Sequence, residues 1–168
     1  KQRQGITTIM LMYKGYTIAL QEVPNEISLA INISNCPHHC PDCHSKYLWD
    51  DEGALPLKDN LPTLLDEYGK MITCVCFMGG DRNTGELMNY ARFVKSLKLK
   101  VAIYSGNNTY EAFIPYLSLI DYLKLGEYNN AKGGLNSPTT NQRFYRIENN
   151  QLIDITSRFW IKHGIEYD

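Results

Sequence analysis

Residues 27–44 read Ile27-Ser-Leu-Ala-Ile-Asn-Ile33-Ser-Asn-Cys36-Pro-His-His-Cys40-Pro-Asp-Cys43-His44. The first seven alternate, with Ile27, Leu29, Ile31 and Ile33 on one side. That is the period-two pattern of a strand with one face in a core. Residues 34–44 hold three of the five cysteines and three of the four histidines of the chain. From Ser34 to about Pro56 the sequence stays polar and Pro-rich, so a long loop is expected to follow the strand. Long loops inside compact domains are usually functional.

Upstream of this stretch, Ile6–Tyr13 and Tyr16–Val23 are β-rich runs, and Lys14-Gly15 between them reads as a tight turn. Downstream the rhythm changes. Leu61, Leu64, Leu65 and Tyr68 have the spacing of one helical face, over about Asp59 to Tyr68. Ile72–Met78 reads as a buried strand ending at Gly79-Gly80-Asp81. Asn83 and Glu86 have capping-box spacing ahead of a second helix carrying Leu87, Tyr90, Ala91 and Val94. Val101–Tyr104 is the next strand, ending at Ser105-Gly106. A short helix is expected over Tyr110–Tyr116 and a further strand over Leu119–Leu125, ending at Gly126. Phe144–Ile147 and Gln151–Ile155 flank Asn149-Asn150 as a terminal hairpin.

Strand, helix and strand thus recur, which is the signature of βα units around a parallel sheet. A full eightfold barrel needs about 250 residues. The 168 residues here hold about four such strands plus flanking β-structure, so the expected fold is α/β, an incomplete (β/α) barrel with N-terminal and C-terminal β additions, in a single domain spanning residues 1–168. Sites in parallel α/β sheets form at the carboxyl ends of strands. Those ends are the cysteine loop, Gly79-Gly80-Asp81, Ser105-Gly106 and Gly126, and all four are expected on one rim.

Composition narrows the function. Lys+Arg is 17 and Asp+Glu is 18, a net charge of -1, without the basic surplus that phosphate binding demands, so nucleic acid is not expected as a partner. No run approaches 18 apolar residues, so no membrane span is expected. The sequence begins at Lys1, and no charged segment followed by an apolar one opens it as a signal peptide does. Clustered, odd-numbered cysteines suit a reducing compartment, and a cytoplasmic protein is expected.

Cys36, Cys40 and Cys43 are separated by three and then two residues. Thiolates are soft donors suited to iron–sulfur clusters or zinc, and a loop can fold three of them around one centre. Three readings follow: a structural zinc site completed by His38, His39 or His44 in a non-enzymatic interaction module; free thiols; or a four-iron cluster held by three cysteines, with one iron open. Cys74 and Cys76 share a face of a buried strand and read as core. His38 and His39 read as solvated loop residues.

The cysteine spacing directly after the first parallel strand resembles the radical S-adenosylmethionine signature. Cys43-His44-Ser45 followed by Trp49 resembles the activases of glycyl radical enzymes. Asn35-Cys36-Pro-His-His-Cys40, Phe77-Met78-Gly79-Gly80-Asp81 and Ser137-Pro-Thr-Thr-Asn-Gln-Arg143 are similar to one branch, the activating enzymes of anaerobic (class III) ribonucleoside-triphosphate reductase. The resemblance spans about residues 16–160 and implies a barrel of the radical S-adenosylmethionine type. It implies a [4Fe-4S] cluster on Cys36, Cys40 and Cys43 and S-adenosyl-L-methionine as second cofactor. Gly79, Gly80 and Asp81 would hold the methionyl amine, Ser105 the ribose or methionyl carboxylate, and His44 the adenine, because Asp42 stands where relatives carry an aromatic residue. The implied activity is hydrogen-atom abstraction from a glycine of the reductase, with a low-potential electron donor such as flavodoxin. Another radical S-adenosylmethionine enzyme, either a different activase or a deazapurine synthase, fits the same spacing.

Overall fold

Four apolar runs, each too short to bury itself, make the centre of the sheet. In the computed structural model, which describes residues 9–160, these are β2 (Ser28–Ile33), β4 (Cys74–Met78), β5 (Lys100–Tyr104) and β6 (Tyr122–Leu125). They pair in parallel in that order. Antiparallel strands extend both sides: β1 (Met12–Ala19) and the two-residue β3 (Leu55–Pro56) beyond β2, and β7 (Arg143–Glu148) and β8 (Gln151–Asp154) beyond β6. The eight-stranded sheet runs β3-β1-β2-β4-β5-β6-β7-β8 and does not close on itself.

The crossovers are α1 (Leu57–Tyr68), α2 (Thr84–Ser96) and a 3₁₀ segment over Glu111–Leu119. They cover one face. Leu29, Ile31, Ile33, Val75, Phe77, Val101, Ile103 and Leu123 point into it and meet Leu57, Leu61, Leu87, Ala91, Val94 and Phe113. The other face carries smaller side chains, Ala30, Cys74, Cys76 and Ala102, with Tyr122 and Phe144. Among the described residues no α-helix lies on it; Val23, Leu135, Ile155 and Phe159, the last from a 3₁₀ turn over Thr156–Trp160, cover it instead. Among the described residues no helix is long and apolar enough to cross a membrane.

Four local expectations are corrected, the last of them in part. Lys14-Gly15 is no turn between strands: β1 runs straight through it, and the extra residues are absorbed as an irregularity between Tyr13 and Tyr16, with Gly15 at φ +85°. A bulge needs the same residue type as a turn, which is why the two look alike in sequence. Residues 6–8 of the first expected run lie outside the described residues. Ile27 precedes β2 and is largely exposed rather than in line with Leu29. The Tyr110–Tyr116 helix is 3₁₀ and longer, with Pro115 inside it. The Asn83 cap is as expected, accepting Glu86 N–H at 3.1 Å, but Glu86 does not return to Asn83 N–H; its Oε2 takes the Leu11 N–H at 2.9 Å and ties β1's approach to α2. Asn149 and Asn150 turn the β7–β8 hairpin at φ +50° and +61°, as expected.

Candidate cluster site

The last shared rung of the parallel sheet forms the floor of the site. Asn32, Met78, Tyr104 and Lys124 are cross-strand partners in one row, and all four line one cavity of about 210 Å3. Its walls are the segments that follow β2, β4, β5 and β6: Cys36, His38, Cys40 and Cys43; Gly79, Gly80 and Asp81; Ser105 and Gly106; Gly126, Glu127 and Tyr128. The four strand ends therefore gather on one rim, as the βα rhythm implies.

Within the loop, Cys36 N–H donates to Leu48 O at 3.0 Å and Cys43 N–H to Cys40 O at 3.1 Å. Burial pushes the Cys36 thiol above its ordinary range, opposed by the backbone N–H groups of His38 and His39, which point at its sulfur. Ser45 N–H likewise donates to Cys43 Sγ at 3.3 Å. Backbone donors aimed at sulfur favour thiolate, the form in which cysteine binds metal. Cys74 and Cys76 are fully buried in β4 and stand outside this cavity. Burial pushes Cys74 up to about 12 and holds Cys76 well above the ordinary thiol range. They are inert core thiols, in line with the sequence reading.

Of the two loop histidines expected to be solvated, His39 is exposed, whereas His38 is partly buried and paired, which corrects the expectation for it. His38 Nε2 lies 2.7 Å from Asp81 Oδ2. His39 stacks on Trp49, with ring centroids 4.5 Å apart and planes 8° from parallel. His44 is exposed, and its Nε2 meets Tyr128 OH at 3.1 Å. Asp81 accepts from three groups: His38, Ser105 Oγ at 2.7 Å and Gly106 N–H at 2.9 Å. The turn that aims it needs Gly80, at φ +106°, where a Cβ would lie 2.7 Å from Leu87 Cδ2.

Lys124 is the residue the sequence reading missed. It is buried, and its ammonium donates to Ser105 O at 3.2 Å and Gly126 O at 2.7 Å. Burial pushes its pKa down to about 8, while Asp81, Cys40 and Cys36 pull it the other way. The available signal was a lysine inside the apolar run Tyr122-Leu-Lys-Leu125, a position that buries a charge.

Three cysteines on one loop, lining one cavity and with backbone N–H groups at the sulfurs of Cys36 and Cys43, are the donor set of an iron–sulfur cluster. A single zinc ion asks for something tighter, since all its ligands converge on one atom. Among the described residues no three His, Cys, Asp or Glu side chains are gathered that way. Searches of curated proteins and of solved structures return no match. A family model described as a 4Fe-4S single cluster domain matches residues 27–153, from the strand before the cysteines to the terminal hairpin. The chain belongs to the 4Fe-4S single cluster domain family.

Proposed function

We propose that the chain is a radical S-adenosylmethionine activase that generates a glycyl radical in an anaerobic ribonucleoside-triphosphate reductase. The observation that carries this reading is the count and placement of thiols. Cys36, Cys40 and Cys43 line the cavity, while Cys74 and Cys76 are buried in β4. A four-iron cluster on this loop would have three protein thiolates and one iron left for a small molecule. When bound, the cluster supplies the electron that cleaves the sulfonium of S-adenosylmethionine, giving methionine and a 5′-deoxyadenosyl radical that takes a hydrogen atom from the partner's glycine.

The chain's own residues suit that task. Lys124 holds an ammonium on the cavity floor, where the carboxylate of an amino-acid moiety would find a partner. Ser105 lies beside it at the end of β5. The cavity is too small for a whole nucleoside, but Glu127 and Tyr128 also line a neighbouring hollow of about 410 Å3 with Pro41, Asp42 and Asn129. In this reading the adenosyl half takes that hollow, against Tyr128, whose ring His44 meets edge-on from outside the lining. The open sheet leaves the rim accessible to a folded partner, an incomplete barrel in this reading.

Anaerobic reconstitution with iron and sulfide tests it. S-adenosylmethionine cleavage with dithionite or reduced flavodoxin, and a glycyl radical signal by electron paramagnetic resonance when the reductase is added, are the expected results. Cleavage with no radical in the reductase but one in another glycyl radical enzyme would redirect the substrate. A colourless, zinc-loaded protein that cleaves nothing would overturn the reading.

A further inference from the structure

The cysteine loop is gripped by two consecutive residues from the far side of β4. Asp81 takes His38, and Arg82 takes Asn35, its Nε donating to the Asn35 carbonyl and its Nη2 to Asn35 Oδ1, both at 3.3 Å. Asn35 and His38 bracket Cys36. The Asp81 end is the firmer one. Its side chain is only 5% exposed, and its two oxygens already accept His38, Ser105 Oγ and Gly106 N–H. Gly106 completes the seat, because a Cβ there would lie 2.5 Å from His38 Cδ2 and 2.8 Å from His38 Cγ. A carboxylate so occupied has little surface left for a ligand.

We propose that Asp81 is a positioning residue: it clasps His38 against Ser105 and Gly106 and so holds the cysteine loop in its cluster-ready shape. The clasp is made entirely of this chain's own groups. It is therefore readable in the metal-free chain, and it rests on Cys36, Cys40 and Cys43 forming the loop site; only its S-adenosylmethionine readout rests on the proposed function.

The probe is the thiol of Cys40, buried two residues beyond His38. The full metal-free chain, reduced and anaerobic, is pulsed with iodoacetamide, and alkylation is timed at Cys40 by mass spectrometry. Cys76, fully buried in β4, reports global opening. His38→Ala and Asp81→Ala should each speed Cys40 alkylation by roughly ten- to a hundredfold, the worth of one hydrogen bond to a charged group. The double variant should be no faster than the singles, because both remove the same contact. His38→Gln, which keeps a donor, should bring the rate back to within a few-fold of the parent. Gly106→Ala, which displaces the ring while leaving Asp81 in place, should match His38→Ala; it carries the test if Asp81→Ala also exposes Cys76. In reconstituted protein, His38→Ala and Asp81→Ala should weaken S-adenosylmethionine binding alike. An unchanged Cys40 rate in Asp81→Ala or in Gly106→Ala, additive rates in the double variant, or an affinity loss confined to Asp81→Ala would each overturn the clasp. A parent chain that assembles no cluster would sink the functional reading alone, since the alkylation rates are read without one.

Discussion

Lys124→Met keeps the length of the side chain on the cavity floor and removes its charge. Burial lowers the Lys124 pKa from the ordinary 10.5 to about 8. At about 1.4 kcal/mol for each tenfold in protonation, holding the ammonium costs the fold about 3 kcal/mol at pH 7. Methionine escapes that cost but forfeits the hydrogen bonds to Ser105 O and Gly126 O, worth about 1 kcal/mol each. The metal-free variant is therefore expected to be about 1 kcal/mol more stable than the parent at pH 7, while losing affinity for S-adenosylmethionine. The sign with pH is fixed. The unfolded chain keeps this proton up to 10.5 and the folded chain releases it near 8, so the unfolded state binds more protons between those values and the parent gains stability there. The penalty is complete below pH 8 and gone above about 10.5, so the gap between variant and parent should swing toward the parent by about 3 kcal/mol from pH 7 to 10.5. Urea denaturation of both metal-free chains, followed by circular dichroism at half-unit pH steps, measures it. A gap that stays flat with pH, or a variant more than about 2 kcal/mol less stable than the parent at pH 7, would refute the reasoning.

Replacing Cys36, Cys40 or Cys43 by Ala should abolish the reconstituted cluster's absorbance near 400 nm (roughly, the iron–thiolate charge-transfer region). Cys74→Ala and Cys76→Ala should keep it and cost about 1 kcal/mol in thermal denaturation through lost packing; loss of the cluster in folded Cys74→Ala would show the ligand set to be wrong. Glu26 accepts from Lys100, Thr73 Oγ1 and Tyr122 OH, and these bonds outweigh burial and hold its carboxyl below the ordinary range. Its contribution is present above the unfolded carboxylate pKa and fades as pH falls through the folded one, so Glu26→Gln should flatten the acid limb of the stability curve and cost about 1 kcal/mol at pH 7, with Lys100 half exposed. Gly80→Ala meets both a positive φ and the Leu87 side chain, and should lose about 1–3 kcal/mol in denaturant titration; a neutral result would mean the turn after β4 relaxes freely.

The parallel centre of the fold was legible because each strand is an apolar run closed by a polar or glycine-containing end, and periodicity reports such runs directly. Leu29, Ile31 and Ile33 alternate into the helix-covered face as read, and the cysteine loop begins where β2 stops. Lys14-Gly15 was misread because glycine at positive φ serves a bulge and a turn equally, and only the partner strand decides between them. The site was legible as a set of strand ends but not as a set of contacts. The meeting of His38 with Asp81 joins residues 43 apart, and nothing local to either marks it. The Glu26 network, which joins residues up to 96 apart, is equally silent in sequence. Lys124 did carry a local mark, a cation within an apolar strand, and the general rule that buried lysines are rare would have singled it out.

The spatial order of the parallel strands, β2-β4-β5-β6, is also their order along the chain. Each new strand adds to the growing edge left by the one before, so the sheet can assemble in the order in which a ribosome delivers it. The cysteine loop then emerges early, beside β2, and stands without walls. Asp81 arrives with the end of β4, the Ser105–Gly106 seat with the end of β5, and the Lys124 floor with β6. A nascent chain that has not yet reached Gln142 has its three thiols but not the whole of their cavity. Loading of the centre is thereby placed after synthesis of the sheet, and a truncated chain would present reactive thiols rather than a half-built cofactor site.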